Sequence, residues 1–276
     1  MAKYDIDIII PTLNSADTIE STIQSLLSLG KKGIRQNIIV VDSNSADGTL
    51  PIVEKYQIRH VNYPKGNMYA AINFGIRMGE SAWCTYLNSD DIIYPDAFAD
   101  FLKMTQLQMS EIAYGNIDYI DRVGRFVHSW NSAPVLQICA LFDSKFNPIP
   151  QPGTIFSREL YQRLGGFDER FKYFADYDFF LRAYQKKAKF LKYKGNTVAA
   201  FRLHERQLSH VYSQDMKNEA QDIYLQLIPA TSLIYRKYVR IAMCIRNLPN
   251  YIIRILRWGQ LNRSFIIPKT MTCRKL

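Results

Sequence analysis

Neither a Gly-x-Gly-x-x-Gly nor a Gly-x-x-x-x-Gly-Lys-Ser/Thr pattern occurs in the chain, which argues against a nicotinamide dinucleotide site and a P-loop. Cysteine is sparse. Cys84, Cys139, Cys244 and Cys273 form no close pair, which fits a reducing compartment and speaks against a disulfide framework or a zinc site. No uninterrupted apolar run reaches membrane-spanning length. The run Ile8 to Ile10, flanked by Asp5 and Asp7, is too short for a signal peptide. Acidic side chains are missing from Thr231 to Leu276, where ten Lys/Arg fall. Subtracting those ten from 35 leaves 25 basic residues against all 25 acidic ones, so the net charge of +10 belongs to the tail. A neutral body weakens any inference from overall basicity to nucleic acid.

What is present suits a large packed domain. The 276 residues are 47% apolar and 13% aromatic, enough for one core with or without an appendage. Ile6 to Ile10, Asn37 to Val41, Ile58 to Val61 and Ala82 to Leu87 read as strands. Three of these are apolar without alternation, as expected of strands covered on both faces. Helical stripes separate them: Ile19, Ile23, Leu26 and Leu27; a face beginning Leu50 and Val53; and Tyr69 to Met78. The order β-α-β-α-β-α-β implies a largely parallel sheet with crossover helices. Ligands of such sheets sit beyond the carboxyl ends of the strands. Polar residues gather there: Pro11-Thr12-Leu13-Asn14-Ser15, Asp42 and Ser43, then Asn88-Ser89-Asp90-Asp91. A cluster of carboxylates at a strand end suits a hard divalent cation, although a solvated Asn/Asp turn has the same composition. The second half is mixed. Residues 112–130 suggest a hairpin around Arg122 to Arg125, Pro134 to Phe142 a short helix, Asp176 to Arg182 the entry to another helix, and 188–203 two more strands.

The order of these motifs resembles the family-2 glycosyltransferases, inverting enzymes of the GT-A fold that use nucleotide-diphosphate sugars. The resemblance spans roughly residues 5 to 210. It rests on Ile9-Ile10-Pro11-Thr12-Leu13-Asn14, Val41-Asp42-Ser43-Asn44-Ser45-Ala46-Asp47-Gly48-Thr49, Ala71-Ile72-Asn73-Phe74-Gly75, Leu87-Asn88-Ser89-Asp90-Asp91, Gly165-Gly166-Phe167-Asp168-Glu169 and Ala175-Asp176-Tyr177-Asp178. It implies an α/β fold: a GT-A, Rossmann-like, mostly parallel sheet with helices on both faces and a C-terminal helical appendage. Residues 1–213 would form the transferase domain, 1–95 its nucleotide-binding half and 96–213 its acceptor and catalytic half, with 214–276 a basic amphipathic tail. By resemblance, Asp42, Thr12, Asn14 and Pro11 would line the base and ribose. Asn73, Asn88, Ser89, Asp90, Asp91 and Arg202 complete the donor-binding set. Asp90 and His204 would hold Mn²⁺ or Mg²⁺ on the diphosphate, and Asp176 would be the general base, with Asp178 the competing candidate. Gln151, Thr154 and Asp178 are the acceptor-side candidates. Two positions depart from the common pattern: Asn88 stands where Asp is usual, which removes a charge near the metal, and Ala70 where a charged residue is frequent.

The tail from 220 to 260 mixes Ile, Leu and Tyr with Arg and Lys, and Pro229 and Pro249 would divide it into helical pieces. Apolar faces flanked by arginine suit helices lying in a membrane interface, and packing on the domain is the competing reading. Arg254-Ile255-Leu256-Arg257-Trp258 has Arg where processive relatives carry Gln, so single-sugar transfer is expected. The expected protein is therefore a peripheral enzyme on the cytoplasmic face of a membrane. It would move a sugar from a nucleotide-diphosphate donor, a UDP-sugar above all, to a glycan or lipid-linked acceptor in surface polysaccharide biosynthesis. A sugar nucleotidylyltransferase and a non-catalytic glycan- or membrane-binding relative are the alternatives. The former needs a glycine-rich basic loop after its first strand, and Pro11 to Ser15 is no such loop.

Overall fold

The computed structural model describes residues 3–204, 213–225 and 230–258. Strand β1 (Ile6–Thr12) is buried at every position and lies between β2 (Gln36–Asp42) and β4 (Trp83–Tyr86), parallel to both. With β3 (Arg59–Asn62), β6 (Ile112–Tyr114), β9 (Thr154–Ser157) and β10 (Phe190–Lys192) they form a seven-stranded sheet of order β10-β6-β9-β4-β1-β2-β3. Only β9 runs against its neighbours β4 and β6. The unbroken apolar runs of β1 and β2 follow from helices covering both faces.

Helix α1 (Ile19–Leu27) buries Ile19, Ile23 and Leu26, the stripe its spacing predicts. Helix α3 (Met68–Arg77) starts at Asn67, whose side chain accepts from the amides of Tyr69 and Ala70. It then presses on the sheet through Gly75: a Cβ there would stand 2.6 Å from Ile9 Cγ2 and 2.9 Å from Val41 Cγ2. The close approach is what the small residue permits. At the opposite end of β1 from the candidate site, Asp7 is fully buried and accepts from Asn37, Ser81 and Arg158, the last at 2.6 Å.

A second, four-stranded sheet has the order β5-β11-β7-β8, from β5 (Ile92–Ile93), β11 (Ala199–Arg202), β7 (Ile117–Ile120) and β8 (Phe126–Trp130). The single hairpin expected over 112–130 is thus divided. Residues 112–114 join the main sheet, and only β7 and β8 pair as a hairpin. The chain changes sheet at Gly115, where a Cβ would lie 2.6 Å from Val198.

Two C-terminal helices pack on this body. Helix 213–225 buries Ala220 and Ile223, and Glu219 accepts from the amides of Lys172, Tyr173 and Phe174. The helix Leu233–Trp258 is continuous, so Pro249 does not divide it as expected. Pro249 is exposed, where solvent can meet the carbonyl it leaves unpaired. Pro229 lies outside the described residues, and the expected boundary between 213 and 214 falls at the start of helix 213–225. Val239, Met243 and Asn247 are buried against β8 and α5 (Val135–Asp143).

Gly75→Ala should cost about 1–3 kcal/mol by overpacking α3 against β1 and β2. The expected reading is a lower urea midpoint at an unchanged slope; an unchanged midpoint would show that the interface can yield.

Candidate functional site

The carboxyl ends of β1, β2 and β4 and the residues after β11 meet at one edge. Thr12 and Asp42 are partners in the β1–β2 register. Asp42 is sealed from solvent, and its two oxygens accept from the Ser45 amide at 2.9 Å and the Ser45 hydroxyl at 2.5 Å. Each carboxylate oxygen retains a lone pair for a further donor. Asn14, at φ 52°, ties this loop to its own: its amide donates to Ser45 Oγ at 2.9 Å and its Oδ1 accepts from the Ala46 amide at 2.8 Å. Pro11 is buried in β1. Thr12 Oγ1 is buried and has no hydrogen-bond partner, as is Asn88 Oδ1, and both stand at the strand ends where a polar ligand would lie. Ser89 Oγ lies 2.7 Å from Ser15 Oγ, joining the β4 loop to the β1 loop.

Asp90 and Asp91 point different ways. Asp90 Oδ2 lies 2.7 Å from His204 Nε2, so the two residues expected to hold a metal are brought together. Asp91 turns inward. It is fully buried, its Oδ1 accepts from the Arg202 amide at 2.9 Å, and its backbone carbonyl accepts from Thr22 Oγ1 at 2.7 Å. Burial, then the neighbouring charge of Asp90, pushes its carboxyl well above the usual range. A carboxylate with one imidazole is a donor set that fits Mn²⁺ better than the oxygen-seeking Mg²⁺. Among the described residues no third His, Cys, Asp or Glu completes a protein cage, so ligand oxygens would have to fill the remaining positions.

Asp176 opens α7 (Ala175–Gln185), held by the Glu219-capped loop before it. Its Oδ1 accepts from the Tyr177 amide at 2.8 Å and from the Tyr69 hydroxyl at 3.1 Å. Asp176 keeps an exposed edge, yet burial pushes its carboxyl up to about 6, against the lowering effect of those two donors. A carboxylate tuned towards neutral pH is suited to accept a proton. Burial, then the neighbouring Tyr69 and the charge of Asp176, raises the hydroxyl of Tyr86, the last residue of β4. An edge-to-face contact joins Tyr86 to Tyr69, with ring centroids 6.2 Å apart. The base thus stands against the Tyr69–Tyr86 pair, and β4, which Tyr86 ends, leads into the loop that carries Asp90.

Five expected site residues have polar atoms engaged by other parts of the chain. Asn73 is buried; its Nδ2 donates to Phe167 O and Glu169 Oε1, and its Oδ1 accepts from Tyr161 and the Phe167 amide. It staples α3 to the Gly165-Gly166 turn. Arg202 is buried with its guanidinium donating to the carbonyls of Asp90 and Arg122 and to Ser21 Oγ, so it braces the cleft from behind. Asp91, as described, holds β11 through the Arg202 amide. Thr154 is buried in β9 and donates to Pro150 O. Asp178 pairs with Arg182 one turn on at 2.7 Å, and Arg182 also holds the carbonyls of Leu164 and Gly166. That pairing leaves Asp176 as the base candidate. Gln151 donates to Tyr86 O at 2.7 Å while its buried Oε1 has no partner, which keeps it at the rim of the cleft. Sequence reasoning missed Tyr69, Ser45 and Glu219. Tyr69 follows the Asn67 cap by two residues, but nothing local points it at a residue 107 positions away.

Residues 7–165, over half of the chain, match the model of glycosyl transferase family 2. The chain is 28% identical over 138 residues to the succinoglycan biosynthesis protein ExoO of Rhizobium meliloti, covering 49% of this chain and 39% of that protein. It is 26% identical over 116 residues to the poly(ribitol-phosphate) beta-N-acetylglucosaminyltransferase TarP of Staphylococcus aureus, covering 40% and 36%. A PGL/p-HBAD biosynthesis glycosyltransferase of Mycobacterium bovis is 27% identical over 209 residues, covering 73% and 78%. The matches to ExoO and TarP therefore span well under half of those proteins. The crystal structure of S. aureus TarS 1-349 in complex with UDP-GlcNAc superposes with a TM-score of 0.62 at 18% identity, covering 95% of this chain and 76% of that one. The GT-A architecture is shared.

Tyr69→Phe removes a donor that lowers the Asp176 carboxyl, so that group should titrate higher than about 6 in the variant. Carbon-13 NMR titration of the aspartate carboxyls reads this directly, and an unmoved Asp176 would show that the phenol does not tune it. Asp176→Asn should stabilise the fold above pH 6. The unfolded carboxyl ionises near 3.8 and the folded one near 6, so stability is lost as pH rises between them, on the order of 1–3 kcal/mol before discount for partial exposure. The check is a higher thermal midpoint for the variant at pH 7.5 and an equal one at pH 3.5.

Proposed function

The chain belongs to glycosyl transferase family 2, and from that premise we propose that it moves a single sugar from a UDP-sugar to a glycan or lipid-linked acceptor, inverting the anomeric carbon. The observation that carries the reading is the pairing of Asp90 with His204 at the strand-end edge, in a chain whose Asp176 carboxyl is pushed up to about 6 by burial. In the proposed step Asp176 takes the proton of an acceptor hydroxyl as that oxygen attacks the anomeric carbon. The bond from that carbon to the β-phosphate oxygen breaks with its electron pair leaving on UDP. Tyr69 and the Tyr177 amide hold Oδ1, which aims the carboxyl at the acceptor. Asp90 and His204 would hold Mn²⁺, which, when bound, neutralises charge on the departing diphosphate. Thr12 and Asn88 offer unsatisfied polar atoms, and Asp42 free lone pairs, to the nucleoside.

The UDP donor is supported by the UDP-GlcNAc complex of TarS, and the polysaccharide setting by the names of ExoO and TarP. The reading includes a peripheral place on the cytoplasmic face of a membrane, supported by the acid-free C-terminal segment.

Calorimetry of UDP with and without Mn²⁺ is the test. Binding should need the metal and be lost in Asp90→Ala, and absence of UDP binding under both conditions would overturn the reading. Asp176→Asn should retain UDP binding and lose about 10²–10⁴-fold of the transfer rate. Because the base must be ionised, kcat/KM should fall with acidification below about 6 and be level above it. A pH-independent profile, or full activity in Asp176→Asn, would remove Asp176 from the base role.

A further inference from the structure

The helix Leu233–Trp258 is docked through a mixed inward side, where Val239 and Met243 join the core and polar side chains add hydrogen bonds. Asn247 Oδ1 accepts from the Asn131 amide at 2.8 Å and its Nδ2 donates to Asn131 O at 3.1 Å. Arg246 donates to Ser132 O and Arg236 to Asp143 O, each at 3.3 Å. Just before the helix, the amides of Ala230 and Thr231 donate to the Asp143 carboxylate. At 100° per residue, Val239, Met243 and Asn247 fall on this inward side, and all are buried.

The opposite side is apolar and faces out. Ile234, Tyr238, Ile241, Ile245, Ile252 and Ile255 recur at i, i+4, i+7, i+11, i+18 and i+21, one line along a helix about 39 Å long. Ile234 is 82% exposed, Ile245 65% and Ile255 68%. Leu136 of α5, 85% exposed and beside Tyr235, extends the patch. The polar locks prevent the helix from rolling to bury the stripe. A contiguous apolar surface of this length marks an interaction site.

Charge decides the occupant. The helix has no Asp or Glu, while Lys237 and Arg240 are exposed beside the stripe. Two copies meeting stripe to stripe would bring these cations together with no acid on either helix to pair them. An anionic lipid surface meets both features, since apolar side chains enter the acyl boundary and flanking cations meet the headgroups. No described helix is long and apolar enough to cross a membrane, which agrees with a helix lying in the interface. We propose that the outward face of Leu233–Trp258, continued by Leu136, is a docking surface for anionic lipid bilayers. The inference rests on this helix alone and stands whether or not the transferase reading does.

The test is cosedimentation of the full chain with vesicles of phosphatidylcholine, with and without phosphatidylglycerol. The comparison variant is the charge-neutral triple Ile241→Asn/Ile245→Asn/Ile252→Asn. Ile234→Asn and Ile245→Asn alone serve as milder variants should the triple fold poorly, judged by thermal midpoint. The natural chain should bind the anionic vesicles, and the triple should partition more than about 100-fold less well. Each single variant should lose part of the binding. Three results would overturn the proposal: no binding by the natural chain; variants that bind as well as it does, which would assign binding to tail charge alone; or a natural dimer that the triple converts to monomer, which would make a second copy the occupant.

Discussion

The Asp91 carboxylate, sealed from water, is the constraint on which the cleft depends. It accepts from the Arg202 amide, which fixes the end of β11 against the loop after β4. The Arg202 side chain then returns to Asp90 O, Arg122 O and Ser21 Oγ. Two separate sheets are joined by this exchange, one carrying Asp90 and the other leading to His204. The 2.7 Å approach of Asp90 to His204 is its consequence. Burying a carboxyl and a guanidinium is costly unless both are fully hydrogen-bonded, and here the partners are mostly backbone groups that cannot rotate away. Adjacent aspartates thereby divide the work: Asp91 holds the frame and Asp90 is left to the ligand.

The same division recurs at the base. Asp178 neutralises Arg182, which grips the carbonyls of Leu164 and Gly166 and so holds the turn to α7. Asp176 receives two hydrogen bonds on one oxygen and none recorded on the other. Its burial raises the proton affinity that a base needs, at a cost to stability above pH 6. A group kept ionised in a poor environment is held there by its surroundings, including the Glu219 carboxylate from helix 213–225. That helix is accordingly part of the site's scaffold and no loose appendage.

The parallel half of the fold was legible because unbroken apolar runs and i, i+3, i+4 stripes report burial directly. The strand-end rule then located the edge where Thr12, Asp42 and Asn88 to Asp91 gather. Side-chain direction was not legible. Asn73, Arg202, Asp91, Thr154 and Asp178 are the residue types a nucleotide or acceptor site would use, and each is engaged elsewhere in the chain: Thr154 and Asp178 by residues four positions away, the other three by residues distant in sequence. Asn73 answers the Phe167 turn 94 positions away, and the Arg202 amide answers Asp91 111 positions away. Local pattern can place such a residue at the right edge but cannot say whether its polar atoms are already spoken for. The division of 112–130 between two sheets was hidden for a similar reason, since it turns on the contact of Gly115 with Val198.

The C-terminal helix shows the limit from the other side. Its amphipathic pattern was evident, and either packing on the body or lying on a membrane explained it. Both readings assume that the apolar side makes the contact. The structure separates the two sides: Val239 and Met243, with hydrogen bonds from Asn247, Arg246 and Arg236, hold the helix to the body, and the isoleucines named above are left outward. A helix that spent its apolar face on its own domain would have no surface left to present. Docking through polar side chains to backbone carbonyls, which tolerate no rotation of the helix, keeps the apolar line free and fixes its direction relative to the sheet that carries β8. Since β8 pairs with β7, and β7 with β11, that direction is carried through one continuous sheet to Arg202 and on to His204. Orientation of the outward face and orientation of the cleft are therefore set by the same hydrogen-bonded layer.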